Sequence, residues 1–524
     1  MFDTRGSIAL SLTPDLGGYG PSSRTRCRPT TLVVWVAIGC VCFAAGFLSR
    51  SAPHPSTLLP PTLVEKTNAF LPSSFAHSVV PSSRRPHNFR PASRSAPLSC
   101  RLCDSDPTNQ LCEYGDSAIR LSRAYEGSGL RVKRFLEKAL RGEKVKIGVI
   151  GASVTVGHGL GGHPTWVQRW FEGFQEQFPN SELMNGAIPA MTSRFYSYCV
   201  DTMVPEPADL YLIELDINDN IDTETFVAVD NLFRTLLDQP HQPAVIRLSV
   251  LAISFPEMIR GTSASLINSQ FFDVPVISLR NMLLPLTIAH PDLAPNYFTE
   301  LVPGSGWPDY RHIGPLGHDA LADMITHYLY EQTCLAQQEA RRPRLQPKKG
   351  SPWPTEDVFE MVPRLHLWEQ WSETGQAAKI SPVCNFASST QRPLVPLPSN
   401  PDGSEGPAWE RFEWNDKAAL AGSVVGSVAK FAIEGTSAGV FVWQHAGGKH
   451  LPAAKQPGQA SCWIDDQVSS AITVDAYSPY EAAMPAWIMV HESLEEGKHI
   501  LSCKILESSS TTGHEVRLMG VVSH

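Results

Sequence analysis

The sequence predicts an α/β domain built on a parallel sheet flanked by helices, a C-terminal antiparallel β-sandwich, and a single N-terminal transmembrane helix ahead of both. Three observations predict it. Between about 116 and 340, short β-branched runs alternate with helix-length amphipathic segments, as crossover helices require. From about 381 the periodicity becomes that of strands separated by Gly- and Ser-rich turns. Near the start, Leu32 to Leu48 is one apolar run without a charged residue.

The chain of 524 residues is 42% hydrophobic, which supports ordinary cores over most of its length. Lys and Arg number 43 against 52 Asp and Glu, a net charge of -9, and no dense basic stripe occurs in the folded regions. That balance excludes nucleic acid as an expected partner.

Arg24, Arg26 and Arg28 precede the apolar run, so residues 1–31 read as a cytoplasmic tail, 32–48 as a signal-anchor, and everything beyond Arg50 as lumenal or extracellular. Small residues at Ala44 and Gly46 leave a cleaved signal peptide as the competing reading, with a secreted product. Residues 49–115 are dense in Pro, Ser and Arg and read as an extended stalk. Of the 11 cysteines, Cys27, Cys40 and Cys42 fall before or inside the apolar run. The rest form an even set suited to disulfides in an oxidising compartment, with Cys462 and Cys503 a candidate cross-strand pair. Cys100-x-x-Cys103 has no second ligand pair at zinc spacing, which favours a structural disulfide role. No Asn-x-Ser/Thr sequon occurs.

Within 116–340, Val132, Phe135, Leu136, Ala139 and Leu140 mark an amphipathic helix ended by Gly142. The run from Val145 to Ile150 is too short for a helix and leads into a turn in which Gly151, Gly157 and Gly159 surround Ser153. Trp166, Trp170 and Phe174 then mark a second helix, reaching to Pro179, with its aromatics in the core. Strands follow at Leu183-Met184, Leu210 to Leu215, Val245 to Leu248 and Val276-Ile277. Because ligands bind beyond the carboxyl ends of such strands, Ser153, Asn185-Gly186-Ala187 and Asp216-Ile217-Asn218-Asp219 are the segments to read for chemistry.

The domain closes with a polar loop carrying Asp309 and His312 and a helix from about Leu316 to Tyr330. A carboxylate three residues before an imidazole can hold Nδ1 and leave Nε2 free to take a proton from a serine. His318, near the helix start, reads as structural. A linker over 341–380 leads to the sandwich at 381–524, with strands at Val428 to Ile433, Gly439 to Gln444, Ile472 to Ala476, Ala486 to Val490, Ile500 to Ile505 and Val516 to Val522. Trp443, Trp463 and Trp487 are read first as core.

Four motifs thus occur in one order: Gly151-Ala152-Ser153, Asn185 to Ala190, Asp216 to Asp219, and Asp309-x-x-His312 followed by Gly317-His318. Together they resemble the SGNH/GDSL hydrolase superfamily over about residues 116–335. The resemblance implies a flavodoxin-like sheet, with Ser153 as nucleophile, His312 as general base and later acid, and Asp309 orienting His312. It implies an oxyanion hole formed by the backbone N–H of Ser153, a backbone N–H of the 185–190 turn, matched at Ala190, and the side-chain amide of Asn218. It implies neither metal nor cofactor. Two positions depart from the family: its usual Asp before the nucleophile is Ala152, and Ala190 stands where it places an oxyanion glycine. The Gly-x-Ser-x-Gly elbow of α/β-hydrolases is not matched, since Thr155 occupies its last position.

These features predict a membrane-anchored serine esterase of the secretory pathway, at the Golgi or cell surface, that removes small acyl groups such as acetyl from a polysaccharide or a small molecule. An O-acyltransferase would use the same triad while admitting a sugar hydroxyl and excluding water. A non-catalytic glycan-binding scaffold on the same fold is the alternative of a different class.

Overall fold

The computed structural model describes residues 99–524 apart from 256–264, 342–351, 353–357, 359, 399–408, 415, 449–450 and 480–482. The predicted tail, the apolar run Leu32–Leu48 and most of the stalk lie outside the described residues. Among the described residues, no helix is long and apolar enough to cross a membrane.

The chain enters through α1 (Leu102–Ser105), α2 (Asp116–Leu121) and β1 (Arg123–Tyr125). There follow α3 (Leu130–Leu140), β2 (Val145–Gly151), α4 (Ser153–Val156), α5 (Trp166–Gln177), β3 (Ser181–Asn185), α6 (Ser193–Met203), β4 (Leu210–Glu214) and α7 (Thr223–Leu237). Next come β5 (Ala244–Ser249), α8 (Leu266–Phe271), β6 (Val276–Ser278), α9 (Leu279–Ala289), β7 (Phe298–Glu300), β8 (Pro308–Ile313) and α10 (Pro315–Arg341). The sheet order is β1-β6-β5-β4-β2-β3. Strands β2 to β6 run parallel, and β1 adds an antiparallel edge that the sequence reading missed.

Both faces of the sheet are covered, which is why β2, β4 and β5 are almost continuously apolar. On one face α3, α5 and α10 bury Phe135, Trp166, Trp170, Phe174 and Leu321 against Ile147, Leu212 and Ile246. On the other, α6 and α7 bury Phe195, Tyr196, Leu232 and Phe233. Each fully buried side chain of this size contributes about 1.5–3 kcal/mol. Local signals set the ends. Thr165 and Gln168 form a capping box at the start of α5, and Gly142, at φ +75°, follows the end of α3. Strand order reverses at β2, with β3 on one side and β4 on the other, so the crevice beyond β2 is the topological switch point.

Two boundaries differ from the sequence reading. Residues 99–115, predicted as the last part of the stalk, instead fold onto the α/β domain. Leu102 and Leu111 are buried, and disulfides Cys100–Cys334 and Cys103–Cys112 staple the segment down. The linker predicted over 341–380 is, in its described part from Glu360, a strap without regular structure held along that domain. Arg234 donates to the carbonyls of Pro363 (2.6 Å) and Leu365 (2.5 Å), Arg131 donates to the carbonyl of Glu360 (2.9 Å), and the imidazole of His366 bonds the buried Asp230 at 2.7 Å.

The C-terminal sandwich consists of β9 (Val383–Phe386), β10 (Trp409–Trp414), β11 (Lys417–Gly422), β12 (Val428–Gly435), β13 (Ala438–Gln444), β14 (Gln459–Ile464), β15 (Ile472–Asp475), β16 (Met484–His491), β17 (Gly497–Ile505) and β18 (Val516–Ser523). One antiparallel sheet runs β10-β11-β18-β13-β16 with β9 on β18, and the other runs β12-β17-β14-β15. All six predicted strands are present, and four more, β9, β10, β11 and β14, join them. Cys462 and Cys503 stand opposite one another in register and form a disulfide in the buried core between the sheets. Trp443 is core, as read, while Trp463 and Trp487 are only partly buried. The first sheet packs on α6, where Phe195 meets Phe386 and Phe441, and the Cys199–Cys384 disulfide joins the two domains.

Candidate active site

Strand β2 delivers Ser153 to the switch point by way of a turn with no room for side chains. A Cβ at Gly151 would fall 2.2 Å from Thr155 Oγ1, and Gly157 sits at φ +93°. Ser153 is only partly buried. Its Oγ lies 2.9 Å from His312 Nε2, and His312 Nδ1 lies 2.5 Å from Asp309 Oδ2. With Nδ1–H donating to the carboxylate, Nε2 is the acceptor for the serine hydroxyl.

Asp309 and His312 sit on β8, paired with β7, where the sequence predicts a polar loop. The pairing is irregular. Between the two residues Tyr310 adopts φ +56°, a conformation costing on the order of 1–3 kcal/mol for a bulky residue. Its carbonyl accepts from the N–H groups of Ile253 and Ser254, just past β5, and its ring packs edge-on against Phe298. This kink lets the second Asp309 oxygen accept the backbone N–H groups of Arg311 and His312, both at 2.7 Å. Burial alone pushes the Asp309 carboxyl up, but the bonds from the His312 side chain and backbone, and from Arg311, outweigh it and hold the group below its usual range.

The turns after β3 and β4 flank this pair. Ala190 adopts φ +69°, a left-handed conformation normally given to glycine, at the position the family pattern gives to glycine. Asn218 lies in the turn whose Leu215 carbonyl accepts from the N–H groups of Asn218 (2.9 Å) and Asp219 (3.1 Å). Three residues fix both turns, Asp219 of the motif read above and two that the sequence reading passed over, Tyr196 and Arg247. The buried Tyr196 hydroxyl lies 2.8 Å from the carbonyls of Gly151 and Gly186 and 3.2 Å from the N–H of Ile188. Asp219 accepts from the backbone (2.8 Å) and hydroxyl (2.6 Å) of Ser193, joining the β4 turn to the start of α6. Arg247, buried on β5, pairs with Asp216 and lies 3.5 Å from Asp219. Burial pushes Asp219 up to about 6 against the pull of Arg247. A charged residue inside an otherwise apolar strand, Val245-Ile246-Arg247-Leu248, was the available signal for Arg247.

His158, also missed, places its ring against that of His312. His318 does not join the hydrogen-bonded chain Asp309–His312–Ser153. Its Nδ1 accepts the Trp166 N–H at 2.9 Å, and burial lowers the group to about 3, so it is a neutral structural histidine.

No protein-family model matches the chain, and no curated protein matches it. Among solved structures, it is similar to a two-domain esterase active on acetylated mannans, at 16% identity over 77% of this chain and 98% of that one, with a TM-score of 0.51. The same esterase co-crystallised with mannopentaose aligns over the same shares at a TM-score of 0.50. An esterase from Pseudoalteromonas sp., inhibited by monoethylphosphonate, aligns over 36% of this chain and 99% of its own at 18% identity and a TM-score of 0.28. The fold is that of this two-domain esterase, an α/β domain carrying a C-terminal β module.

Proposed function

We propose that the chain is a serine esterase that removes small acyl groups, acetyl above all, from a carbohydrate. The observation that carries this reading is the relay Asp309–His312–Ser153, with contacts of 2.5 and 2.9 Å at the switch point of the sheet. The acetylated-mannan esterase with the same two-domain fold supports carbohydrate as the alcohol that carries the acyl group.

Ser153 Oγ attacks the ester carbonyl while its proton passes to His312 Nε2. Asp309, held as a carboxylate by its hydrogen bonds, keeps the Nδ1–H tautomer and stabilises the imidazolium as it forms. The N–H groups of Ser153 and Ala190 and the amide of Asn218 receive the oxyanion, each contributing on the order of 3 kcal/mol to the transition state. His312 returns the proton to the departing sugar hydroxyl. Water then repeats the sequence on the acyl-enzyme.

The four disulfides support an oxidising compartment, and the type II anchor at Leu32–Leu48 belongs to the same proposal on sequence alone. The test is acetate release from a panel of acetylated polysaccharides, with Ser153→Ala as control. Release by the wild type and its loss in the variant is the expected result. A folded wild type that releases nothing and resists a fluorophosphonate would leave the scaffold reading in place.

A further inference from the structure

A cavity of about 390 Å³ opens beyond the carboxyl edge of the sheet, among segments that follow β4 and β5. The proposed reaction does not use it. Asp222, Thr223, Thr225 and Phe226, at the start of α7, line it together with Ser265, just before α8, and Trp368 of the strap. Ile221 also lines it and stands only three residues beyond Asn218, so the two Cα atoms are at most about 11 Å apart. The cavity and the Asn218 turn share a buried support, because Arg247 donates both to the Ser265 hydroxyl and, at 2.7 Å, to Asp216. Although the strap has no regular structure, the Trp368 indole is firmly held. Its ring stacks on His366 with centroids 4.6 Å apart and planes at 12°, and His366 bonds the buried Asp230 at 2.7 Å. Phe226 meets the indole from α7, with centroids 6.0 Å apart and planes inclined at 59°. An indole that served only to fasten the strap would be buried, yet Trp368 stays 44% exposed.

The polar part of the lining suits a sugar. Asp222 Oδ1 accepts the Thr225 N–H at 2.7 Å, while its second oxygen and the hydroxyls of Thr223 and Thr225 bond no described residue. A carboxylate acceptor and two hydroxyls therefore stand beside an aromatic ring, and the lining holds no cation. Such a set hydrogen-bonds the hydroxyls of a sugar and stacks on its apolar face, while it offers an acidic sugar only repulsion. We propose that the cavity binds a neutral sugar residue of a polysaccharide, set apart along the chain from the residue whose ester Ser153 attacks, with Trp368 as its stacking platform. The inference rests on the esterase reading and narrows it. The substrate is a polymer, and the strap is a substrate-binding element.

The experiment compares the full chain on acetylated mannan, acetylated xylan, p-nitrophenyl acetate and p-nitrophenyl octanoate. Trp368→Ala should lower kcat/KM on a polysaccharide about tenfold relative to p-nitrophenyl acetate, through KM, as expected of an indole that anchors an interface. Trp368→Phe should restore most of that ratio. Thr223→Phe, which fills the cavity and keeps the indole, should lower the ratio likewise, and it decides alone if Trp368→Ala does not fold. An unchanged ratio, whether both activities fall together or neither falls, overturns the sugar site and leaves the nucleophile standing. So does a wild type that cleaves p-nitrophenyl acetate but neither polysaccharide. A loss confined to the octanoate ester would make the cavity an acyl pocket and overturns the sugar site as well. A folded wild type inactive on all of these substrates overturns both readings.

Discussion

The imidazole of His158 lies against that of His312, with ring centroids 4.4 Å apart and planes inclined at 42°. Burial, then the neighbouring His312 and Lys417, lower the basicity of His158, so a neutral ring covers one face of the His312 imidazole. An aromatic pair of this kind is worth about 0.5–1.5 kcal/mol. His158→Ala is accordingly expected to lower kcat/KM for ester hydrolysis by about 2- to 12-fold. His158→Lys should cost at least about tenfold more, because a cation there opposes the imidazolium formed on His312. Equal losses in the two variants would mean that charge at position 158 does not reach the base.

Ala190 combines a methyl group with φ +69° at a turn read as supplying an oxyanion N–H. Left-handed backbone costs a non-glycine residue about 1–2 kcal/mol, and replacing Ala by Gly costs about 0.4–1 kcal/mol through the unfolded chain. Ala190→Gly should therefore leave stability within about 1 kcal/mol of the wild type and turnover undiminished. A denaturant midpoint and an esterase assay on one preparation check both. A tenfold loss of turnover would show that the methyl group, and not only the backbone N–H, is needed at the site.

Much of this architecture was legible in the sequence because it is local. Val145 to Ile150 reads as a buried strand from its β-branched run, and Trp166, Trp170 and Phe174 as a helix face from their spacing. Ser153, Asp309 and His312 gained meaning from their order relative to those elements. What was not legible depends on distant pairing. Lys417 to Gly422 contains three alanines and no β-branched residue, yet it is a strand because Trp409–Trp414 and β18 pair with it. Asp309 and His312 reach the site on a strand only because β7 supplies a partner. The supports of the site act between residues tens of positions apart: no spacing rule announces the bond from Tyr196 to Gly151, and Arg247 was marked only by its charge within an apolar strand, not by its partner Asp216.

His318 offers a prediction about acid stability. Its folded value, lowered to about 3 by burial, lies below the ordinary histidine value of about 6.5, so the unfolded chain binds the proton more readily. Above pH 6.5 the group is neutral in both states and contributes nothing to the pH dependence. Between about 6.5 and 3, each unit of acidification costs about 1.4 kcal/mol at this site, and His327, lowered likewise to about 3, adds a second such term. Stability measured by urea unfolding should decline steadily below pH 6.5. His318→Gln should be less stable at pH 7, having lost the acceptor for the Trp166 N–H, but should show a shallower decline. An unchanged slope would mean that His318 is not the group being charged.

The disulfide Cys199–Cys384 bridges residues 185 apart in sequence and joins α6 to the first strand of the sandwich. Closing so long a loop removes on the order of 5 kcal/mol of unfolded-state entropy in the chain-entropy model, and measured values are commonly 2–4 kcal/mol. The bridge is not the only tie. Phe195 packs on Phe386 at 4.7 Å and Phe441 at 5.4 Å, Tyr198 packs on Trp487 at 4.7 Å, and Thr202 donates to the Cys384 carbonyl at 3.0 Å. Because these contacts survive its removal, Cys199→Ala with Cys384→Ala should cost about 2–4 kcal/mol while unfolding stays a single cooperative transition. Ser153, His312 and Asp309 all come from the α/β domain, so turnover at 25 °C should remain within a few-fold of the wild type. Differential scanning calorimetry checks the first expectation. Two separate transitions would show that the covalent bond, and not the aromatic interface, holds the domains together.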